Sequence, residues 1–386
     1  MNKNRVNLVA SAALCVALTI GSAVTAGELP KATQQMLKEL KFSPDDKIFA
    51  NMDEEASNTP AAIIDAANKE GLLNISGSFN EILFRKVIAP FKERYPKITV
   101  KYFSGDQNSR NIKPLIAYRN GTVLVDIIEG LGVNLSDYKA AGALQKIGDL
   151  PNVKNIPADI HDPDGYWIAP RVRPWCLTYN TNTFKESDMP KTWDDLLTNT
   201  KLYNKHLGIV NRPNNFMIML WGAKGPEWSK NFMEKLFTVV KPQLRQEDSD
   251  SAVGFVSAGE MDVSLPLADY KTYEYFKKGA PVAWHCPEPV PLSFSAMVVM
   301  NKSPHANAAK LYTNWFLSKE GQLASYYADG STPIHKDLQD PHFLPYPDQI
   351  VGKKMAPRYP SLLENDMEGV AKIWDANWKK AVGAGR

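Results

Sequence analysis

The chain has 386 residues, with 45 lysines and arginines against 42 aspartates and glutamates, and hydrophobic side chains make up 44% of it. A net charge of +3 is too small for a partner held through a broad basic surface, so the balance argues against nucleic acid or an anionic membrane as the main partner. The length exceeds what one hydrophobic core usually covers and therefore predicts two domains or lobes.

The first 26 residues have the pattern of a secretory signal peptide. Lys3 and Arg5 precede an almost wholly apolar stretch over residues 8–20, and Val24-Thr25-Ala26 offers small residues at the positions that a signal peptidase reads. We therefore expect export, cleavage after Ala26 and a periplasmic mature protein. No later segment has eighteen consecutive apolar residues, which predicts no membrane-spanning helix in the mature chain.

Short strands and helices alternate along the mature chain. Residues 27–58 are predicted as an irregular lead-in, and Thr59-Pro60 then caps a predicted helix over residues 61–70 that ends at Gly71. Helical spacing continues from Ile82 to Phe91. The remaining predicted elements are strands at residues 72–75, 98–102, 123–128, 208–210 and 261–267, and helices that begin near residues 106, 192, 213, 268 and 303. This alternation predicts α/β lobes with mostly parallel sheets.

No motif for catalysis or for a cofactor occurs in the sequence. There is no G-x-S-x-G, H-E-x-x-H, C-x-x-C or P-loop, and the six histidines have no metal-ligand spacing. Tyr326-Tyr327 could be phenolate ligands, but their place after an apolar helix favours packing. Cys176 and Cys286, which follow the leader, could be two buried thiols or a disulfide in an oxidising compartment. We expect no cofactor and no enzymatic activity.

Several blocks, in order and at family-like spacing, resemble the type 2 periplasmic solute-binding proteins of ABC transporters, in the ferric-iron-like or family 1 extracellular branch. The blocks are Asp65 to Gly71 with the Ser76-Gly77-Ser78 turn, Val125 to Gly130, Gly165 to Pro170 with Leu177 to Thr181, Pro190 to Leu196, and Ser303 to Lys310 with Ser318 to Gln322. Together they span roughly residues 60–335.

The resemblance implies a two-lobed α/β fold with two crossover hinge segments, which we place near residues 171–177 and 284–297. It predicts one lobe from residues 27–174 with 297–386 and another from residues 175–296. The ligand would lie between the lobes, which close around it by hinge motion. The implied partners are a small-molecule solute, an ABC-type permease and its ATPase, and the protein is expected to be a monomer. Crossovers run side by side in this family, so the resemblance also predicts a disulfide between Cys176 and Cys286.

Ligand positions in the family carry over to particular residues of this chain. The predicted ligand-binding residues are Ser78, Asn80, Glu129, Arg173, Trp175, Asp269 and Tyr270. Arg171 and Arg173 flank the first crossover and could pair with an anion. Three turns at predicted helix N-termini, which offer free N–H groups to anions, lie at Ser78-Phe79-Asn80, residues 106–109 and Asn214-Asn215.

The predicted ligand is a small polar, anionic organic molecule. Iron binders of this family use a first-lobe His or Glu and two adjacent tyrosines, whereas this chain has Ser78-Phe79-Asn80 at the first turn and only Tyr270 at the second position. The alternatives are ferric iron or a metal chelate bound on the same fold, a neutral or cationic solute held by Glu129 and Asp269, and an exported enzyme on a bilobal scaffold.

Overall fold

The computed structural model describes residues 29–384 apart from residues 44, 106–107, 133 and 339–340. The predicted signal peptide lies outside the described residues. The helices are α1 (Lys31–Glu39), α2 (Met52–Ser57), α3 (Ala61–Glu70), α4 (Glu81–Arg94), α5 (Lys113–Arg119), α6 (Leu135–Ala140), α7 (Trp193–Leu196), α8 (Met217–Lys224), α9 (Pro226–Lys235), α10 (Ser249–Ala258), α11 (Asp269–Lys277), α12 (Ala306–Phe316), α13 (Lys319–Asp329), α14 (Pro360–Asn365) and α15 (Met367–Ala384). The strands are β1 (Leu72–Gly77), β2 (Thr99–Ser104), β3 (Ile127–Leu131), β4 (Leu144–Gln145), β5 (Val172–Asn180), β6 (Leu207–Val210), β7 (Gln243–Arg245), β8 (Val263–Ala268), β9 (Val282–His285), β10 (Val290–Phe294), β11 (Ala296–Met300) and β12 (Met355–Pro357).

Two sheets organise the chain into two lobes. The first sheet has five strands in the order β2-β1-β3-β11-β4, and helices α1 to α4, α12 and α13 pack with it around one core. The second sheet runs β12-β10-β5-β8-β6-β7, with β9 also paired to β5. Its main core contains Trp193 from α7, Phe216 beside α8 and Trp374 from α15. The two-lobed α/β prediction is confirmed.

Both sheets are mixed, so the prediction of mostly parallel sheets is wrong. β1 pairs in parallel with β2 and β3, but β11 is antiparallel to β3 and β4. In the second sheet β5 is antiparallel to β8, β9 and β10. The reason is topological. The strands that adjoin the crossings between the lobes, β5 and β11, run antiparallel to the strands with which they pair.

Two adjacent strands cross from one sheet to the other. Ile168 forms an antiparallel bridge with Met297 in the first lobe, and Arg173 pairs with Ser293 in the second. The crossings therefore lie side by side at residues 169–172 and at Ser295, inside or next to the predicted segments.

A third crossing follows α13 and was not predicted. Phe343 packs in the first core, whereas Tyr346 and Ile350 pack against the second. β12 then pairs with β10, and Trp374 lies in the second core. The predicted assignment of residues 297–386 to the first lobe is therefore wrong for its last part, because Val370, Trp374 and Trp378 of α15 are buried in the second core.

The predicted irregular lead-in also differs from the structure. α1 and α2 lie in it, and Met36, Leu37 and Met52 are buried in the first core. The sequence signal was a short one, since Thr33, Met36 and Leu37 have the i, i+3, i+4 spacing of a buried helix face. Residues 123–126 precede β3 as an irregular segment, so the predicted strand starts four residues later than expected.

Local signals placed several elements correctly. α3 ends at Gly71, whose φ of +64° is the left-handed conformation that favours glycine at a helix end. Thr192 caps α7 by accepting from the Asp195 backbone N–H, and its own backbone N–H donates to the Asp195 carboxylate in return. None of the described helices is long and apolar enough to cross a membrane.

Cys176 lies on β5, and Cys286 follows β9, the neighbouring strand. Their Cα atoms are 5.0 Å apart, both side chains are fully buried, and the sulfur atoms are bonded to each other in the structure. Both cysteines belong to the second core, so the disulfide would join two strands of one lobe and not the two crossovers.

Candidate functional site

Two adjoining cavities lie between the lobes at the crossovers. The inner cavity has a volume of about 200 Å³ and the outer one about 710 Å³. The inner cavity is lined by Ser78, Gly130, Pro170, Arg171, Arg173, Trp175, Asn215, Ser293, Phe294, Ser295 and Arg358. Ser78 and Arg173 line both cavities, which therefore meet at these two side chains.

The first lobe contributes the turn between β1 and α4. A Cβ on Gly77 would lie 2.5 Å from the Tyr102 hydroxyl oxygen, and that hydroxyl donates to the Phe79 carbonyl over 3.1 Å. Glycine at position 77 thus leaves room for the Tyr102 ring, whose hydroxyl fixes the turn through its bond to the Phe79 carbonyl. Asn80 caps α4 by accepting from the Leu83 backbone N–H, so its side-chain oxygen is already engaged.

The first crossover contributes two arginines that share one carboxylate. Arg171 donates to Asp329 over 2.9 Å and to the Ser78 hydroxyl over 2.6 Å, and its guanidinium lies 3.8 Å from the Phe79 ring centre. Arg173 donates to the same Asp329 oxygen over 3.0 Å. Burial, followed by the neighbouring charge of Arg173, lowers the pKa of Arg171. Two cations on one carboxylate leave net positive charge at the cavity wall.

The second lobe supplies aromatic side chains to both cavities. The Trp175 indole donates to Ser293 over 2.6 Å, which ties the two crossover strands together. The Tyr270 ring lies 4.6 Å below the guanidinium of Arg173, a stabilising cation–π contact. Asn215 ends a short 3₁₀ helix, Pro213–Asn215, and lines the inner cavity, whereas residues 106–107 of the second predicted anion turn lie outside the described residues.

Arg358 is a third inner-cavity arginine that the sequence analysis missed. It follows β12 and donates to the backbone carbonyls of Asn214 and Phe294, each over 3.1 Å. Burial lowers its pKa to about 10, so it stays charged at neutral pH. The inner cavity is therefore lined by three guanidinium groups and, among the described residues, by no carboxylate.

The outer cavity has a balanced charge. Arg173, Lys271 and Lys277 line it together with Asp250, Glu274 and Asp329. Four tyrosines also line it, at positions 270, 273, 326 and 327. The Tyr326 hydroxyl donates to the His342 carbonyl, and the Tyr327 hydroxyl bonds the Glu39 carboxylate.

Two predicted ligand residues, Glu129 and Asp269, are buried and line neither cavity. Glu129 is 1% exposed and accepts a hydrogen bond from Tyr312 over 2.8 Å inside the first lobe. Asp269, 2% exposed, accepts from the Tyr270 backbone N–H at the start of α11. Burial raises the pKa of both, that of Asp269 to about 7. Neither carboxyl lines a cavity, whereas each of the other predicted residues, Ser78, Asn80, Arg173, Trp175 and Tyr270, lines at least one.

Metal-ligating side chains gather at one place in the described part of the chain, away from these cavities. Glu55, His335 and Asp337 lie within reach of a common ion in the first lobe. The Lys319 ammonium lies 3.2 Å from Asp337 and 3.7 Å from Glu55, so both carboxylates already pair with a cation of the protein. The cluster is consistent with a structural ion-pair network.

Two mixed α/β lobes that enclose polar cavities at adjacent crossover strands define a bilobed ligand-binding protein. A profile of the bacterial extracellular solute-binding proteins matches residues 86–350. The chain therefore belongs to the bacterial extracellular solute-binding protein family, and it is the substrate-binding component of an ABC transporter. Membership of this family implies a periplasmic location.

Solved structures with the same fold include binders of different solutes. Iron-bound HitA from Pseudomonas aeruginosa is 20% identical with a TM-score of 0.65, covering 79% of this chain and 99% of its own. Trichodesmium IdiA (FutA), in complex with iron and citrate, is 18% identical with a TM-score of 0.67 over 80% and 99%. AfuA from Actinobacillus pleuropneumoniae, with fructose-6-phosphate bound, is 17% identical with a TM-score of 0.59 over 80% and 99%. No curated protein matches the sequence.

Proposed function

We propose that this protein binds a small anionic organic solute between its lobes and delivers it, without chemical change, to an ABC-type permease and its ATPase. The observation that carries the proposal is the inner cavity, where Arg171, Arg173 and Arg358 converge without a lining carboxylate among the described residues. Buried cations are stable in proteins when an anion pairs with them. A carboxylate, phosphate or phosphonate supplies that charge and matches the fork of a guanidinium.

The location of the arginines couples binding to hinge closure. Arg171 and Arg173 lie on the first crossover, and Arg358 bonds the Phe294 carbonyl beside the second. An anion that contacts all three attracts groups from both lobes and from the C-terminal segment. Differential contact of this kind is what a ligand needs in order to favour a closed form.

Ferric iron is the alternative raised by the resemblance and by two of the similar structures. Iron would need phenolate oxygens, and burial raises the pKa of Tyr270 and Tyr326 while the Glu39 bond raises that of Tyr327 to about 12. These phenols are disfavoured as anions. The Arg173 guanidinium beside Tyr270 further opposes a naked cation.

Calorimetry on the purified mature protein tests the proposal. The titrants are glucose 6-phosphate, an alkyl phosphonate, citrate, ferric citrate and glucose, with the intrinsic fluorescence of the nine tryptophans as a second readout of closure. We expect heat and a fluorescence change with at least one organic anion and none with glucose. Tight iron uptake with a tyrosinate absorption band, and no response to any organic anion, would contradict the proposal.

Arg245→Gln is a matched control, because Arg245 stacks on Phe255, pairs with Glu247 and lines neither cavity. We expect it to bind like the wild type. Incubation with the solute followed by mass analysis tests the absence of turnover, since an enzyme would return a changed molecule. N-terminal sequencing of exported protein should begin at Gly27, and the native mass should be that of a monomer.

A further inference from the structure

The C-terminal segment, residues 355–384, brings a charged residue into the cleft from outside the part of the chain that the family profile matches. β12 pairs in parallel with β10, with Met355 opposite Val290 and Pro357 opposite Leu292. The Arg358 backbone N–H extends this ladder by donating to the Leu292 carbonyl over 2.9 Å. Arg358 is thus held beside the second crossover by backbone hydrogen bonds.

The guanidinium of Arg358 has no acidic neighbour among the described residues. Its Nη atoms reach only the carbonyls of Asn214 and Phe294, and it forms no salt bridge in the described part of the chain. Its Nε is buried without a hydrogen-bond partner there. A partly buried charge is stabilised by an anionic partner, and an anion in the inner cavity would supply the one that Arg358 lacks.

The charges around the inner cavity can be counted. Arg171, Arg173 and Arg358 supply three positive charges, and Asp329 offsets one of them. Glu129 and Asp269, the other two carboxyl groups nearby, are buried and line neither cavity. The side chains that line the inner cavity therefore leave about two positive charges for a ligand.

We infer that Arg358 is the residue that sets charge selectivity, so that the site prefers solutes with a compact dianionic head group over monoanionic analogues; this rests on the proposed function. The inner cavity, at about 200 Å³, is much smaller than the outer one, at about 710 Å³, and so suits a compact charged group. This matches a phosphate monoester head group or a short dicarboxylate. The rest of the solute lies in the outer cavity, which adjoins it at Ser78 and Arg173.

Paired probes test the inference at pH 8. Glucose 6-phosphate and glucose 6-sulfate share a sugar and a tetrahedral head group but carry two negative charges and one, and succinate and succinamate form a second pair. We expect the wild type to bind the dianion of at least one pair about 10–100-fold more tightly, the range of one charge-assisted hydrogen bond. The phosphate pair and the dicarboxylate pair distinguish the two head groups.

Variants assign this preference to one side chain. Arg358→Gln is expected to reduce the dianion preference to less than about threefold while monoanion affinity changes little, because one of the two uncompensated charges is gone. Arg358→Lys should restore part of the preference, since it keeps the charge but loses the planar fork. Arg245→Gln should leave the preference unchanged, and circular dichroism with thermal unfolding confirms that each variant folds.

A measurement on the wild type alone keeps the inference testable if Arg358 variants do not fold. Between pH 5 and pH 8 the affinity for glucose 6-phosphate should rise relative to that for glucose 6-sulfate, because the phosphate loses its second proton near pH 6, while the sulfate profile reports titration of the protein itself, including that of Asp269. An unchanged dianion preference in Arg358→Gln, or equal affinity for both members of each pair in the wild type, overturns the inference alone. Wild-type protein that binds no anion overturns the proposed function as well.

Discussion

The inner and outer cavities adjoin each other but differ in charge and in construction. The inner one is lined by three arginines and, among the described residues, no carboxylate, whereas the outer one combines Arg173, Lys271 and Lys277 with Asp250, Glu274 and Asp329. Crossover strands and backbone turns build the inner wall, and side chains of α11 and α13 build much of the outer one. The difference suggests that the inner cavity selects the charged end of a solute and the outer one accommodates a neutral polar end.

The largest expected effect is a loss of stability without a loss of anion affinity, and it comes from the disulfide beside the inner cavity. Cys176 follows Trp175, which lines the inner cavity, on β5. Its partner in the disulfide, Cys286, lies 110 residues further along the chain. Replacing both cysteines by serine should lower the free energy of unfolding by about 3–5 kcal/mol, because the unfolded chain loses its cross-link. Urea unfolding measures this loss, and anion affinity at 20 °C should change less than about threefold.

Thiol titration provides the control for that experiment. The denatured, unreduced wild type should contain no free thiol, and the reduced protein should contain two. Two free thiols before reduction, or a double variant as stable as the wild type, would show that the bridge plays no part in stability.

Removing the carboxylate that Arg171 and Arg173 share should increase the difference in charge between the two cavities. Asp329 is 9% exposed and bonds both Arg171 and Arg173. Asp329→Asn should cost about 2–3 kcal/mol of stability, because two guanidinium groups lose their partner. The stabilisation by glucose 6-phosphate should become larger than in the wild type, as measured by thermal unfolding with and without ligand. A smaller shift would mean that Asp329 orients the arginines more than it competes with the anion.

A pair of cation substitutions compares the two cavities directly. Arg171 lines only the inner cavity and Lys277 only the outer one. Arg171→Gln should weaken anion binding by about 10–100-fold, the loss of one charged hydrogen bond, while Lys277→Gln should change it less than about threefold. Isothermal titration calorimetry of both variants measures these changes in anion affinity. Equal losses would remove the functional distinction between the cavities.

The smallest expected effect concerns Asp269, the buried carboxyl behind the outer wall. Its folded pKa of about 7 lies above the ordinary value of 3.8, so the folded protein holds this proton more tightly than the unfolded chain. The stability associated with it is complete below about pH 4 and is lost as the pH rises through about 7. The loss is at most about 4 kcal/mol, and relaxation of the site should reduce it to about 1–2 kcal/mol.

Asp269→Asn should therefore stabilise the protein at pH 8 and change little at pH 5. Urea midpoints at the two pH values measure this, and Asp375→Asn, at an exposed position of α15, is the matched control. A gain of equal size at both pH values would show that packing is responsible and that the buried charge is not.

Much of the first lobe and the main connections could be predicted from local sequence. Gly71 ends α3, Thr192 caps α7 and Asn80 caps α4 because these residues satisfy helix ends through their own side chains or backbone. The family-like blocks carried the two-lobed fold and put Ser78, Arg173 and Trp175 at the inner cavity. Each of them follows a strand end or lies on a crossover, positions that are recognisable in the sequence.

Only the tertiary structure decided which polar side chains face the cleft. Glu129 lies on a predicted strand and Asp269 at a predicted helix start, yet both turn into the protein, because an element's position does not fix which of its faces a neighbour covers. Arg358 follows a three-residue strand with no periodicity of its own, and it reaches the cavity through pairing with a strand 65 residues earlier, as Met355 opposite Val290 illustrates. The chain length and the family resemblance, both read from the sequence, indicated the two lobes and the crossover arginines, whereas long-range strand pairing, which only the tertiary structure shows, added the third arginine.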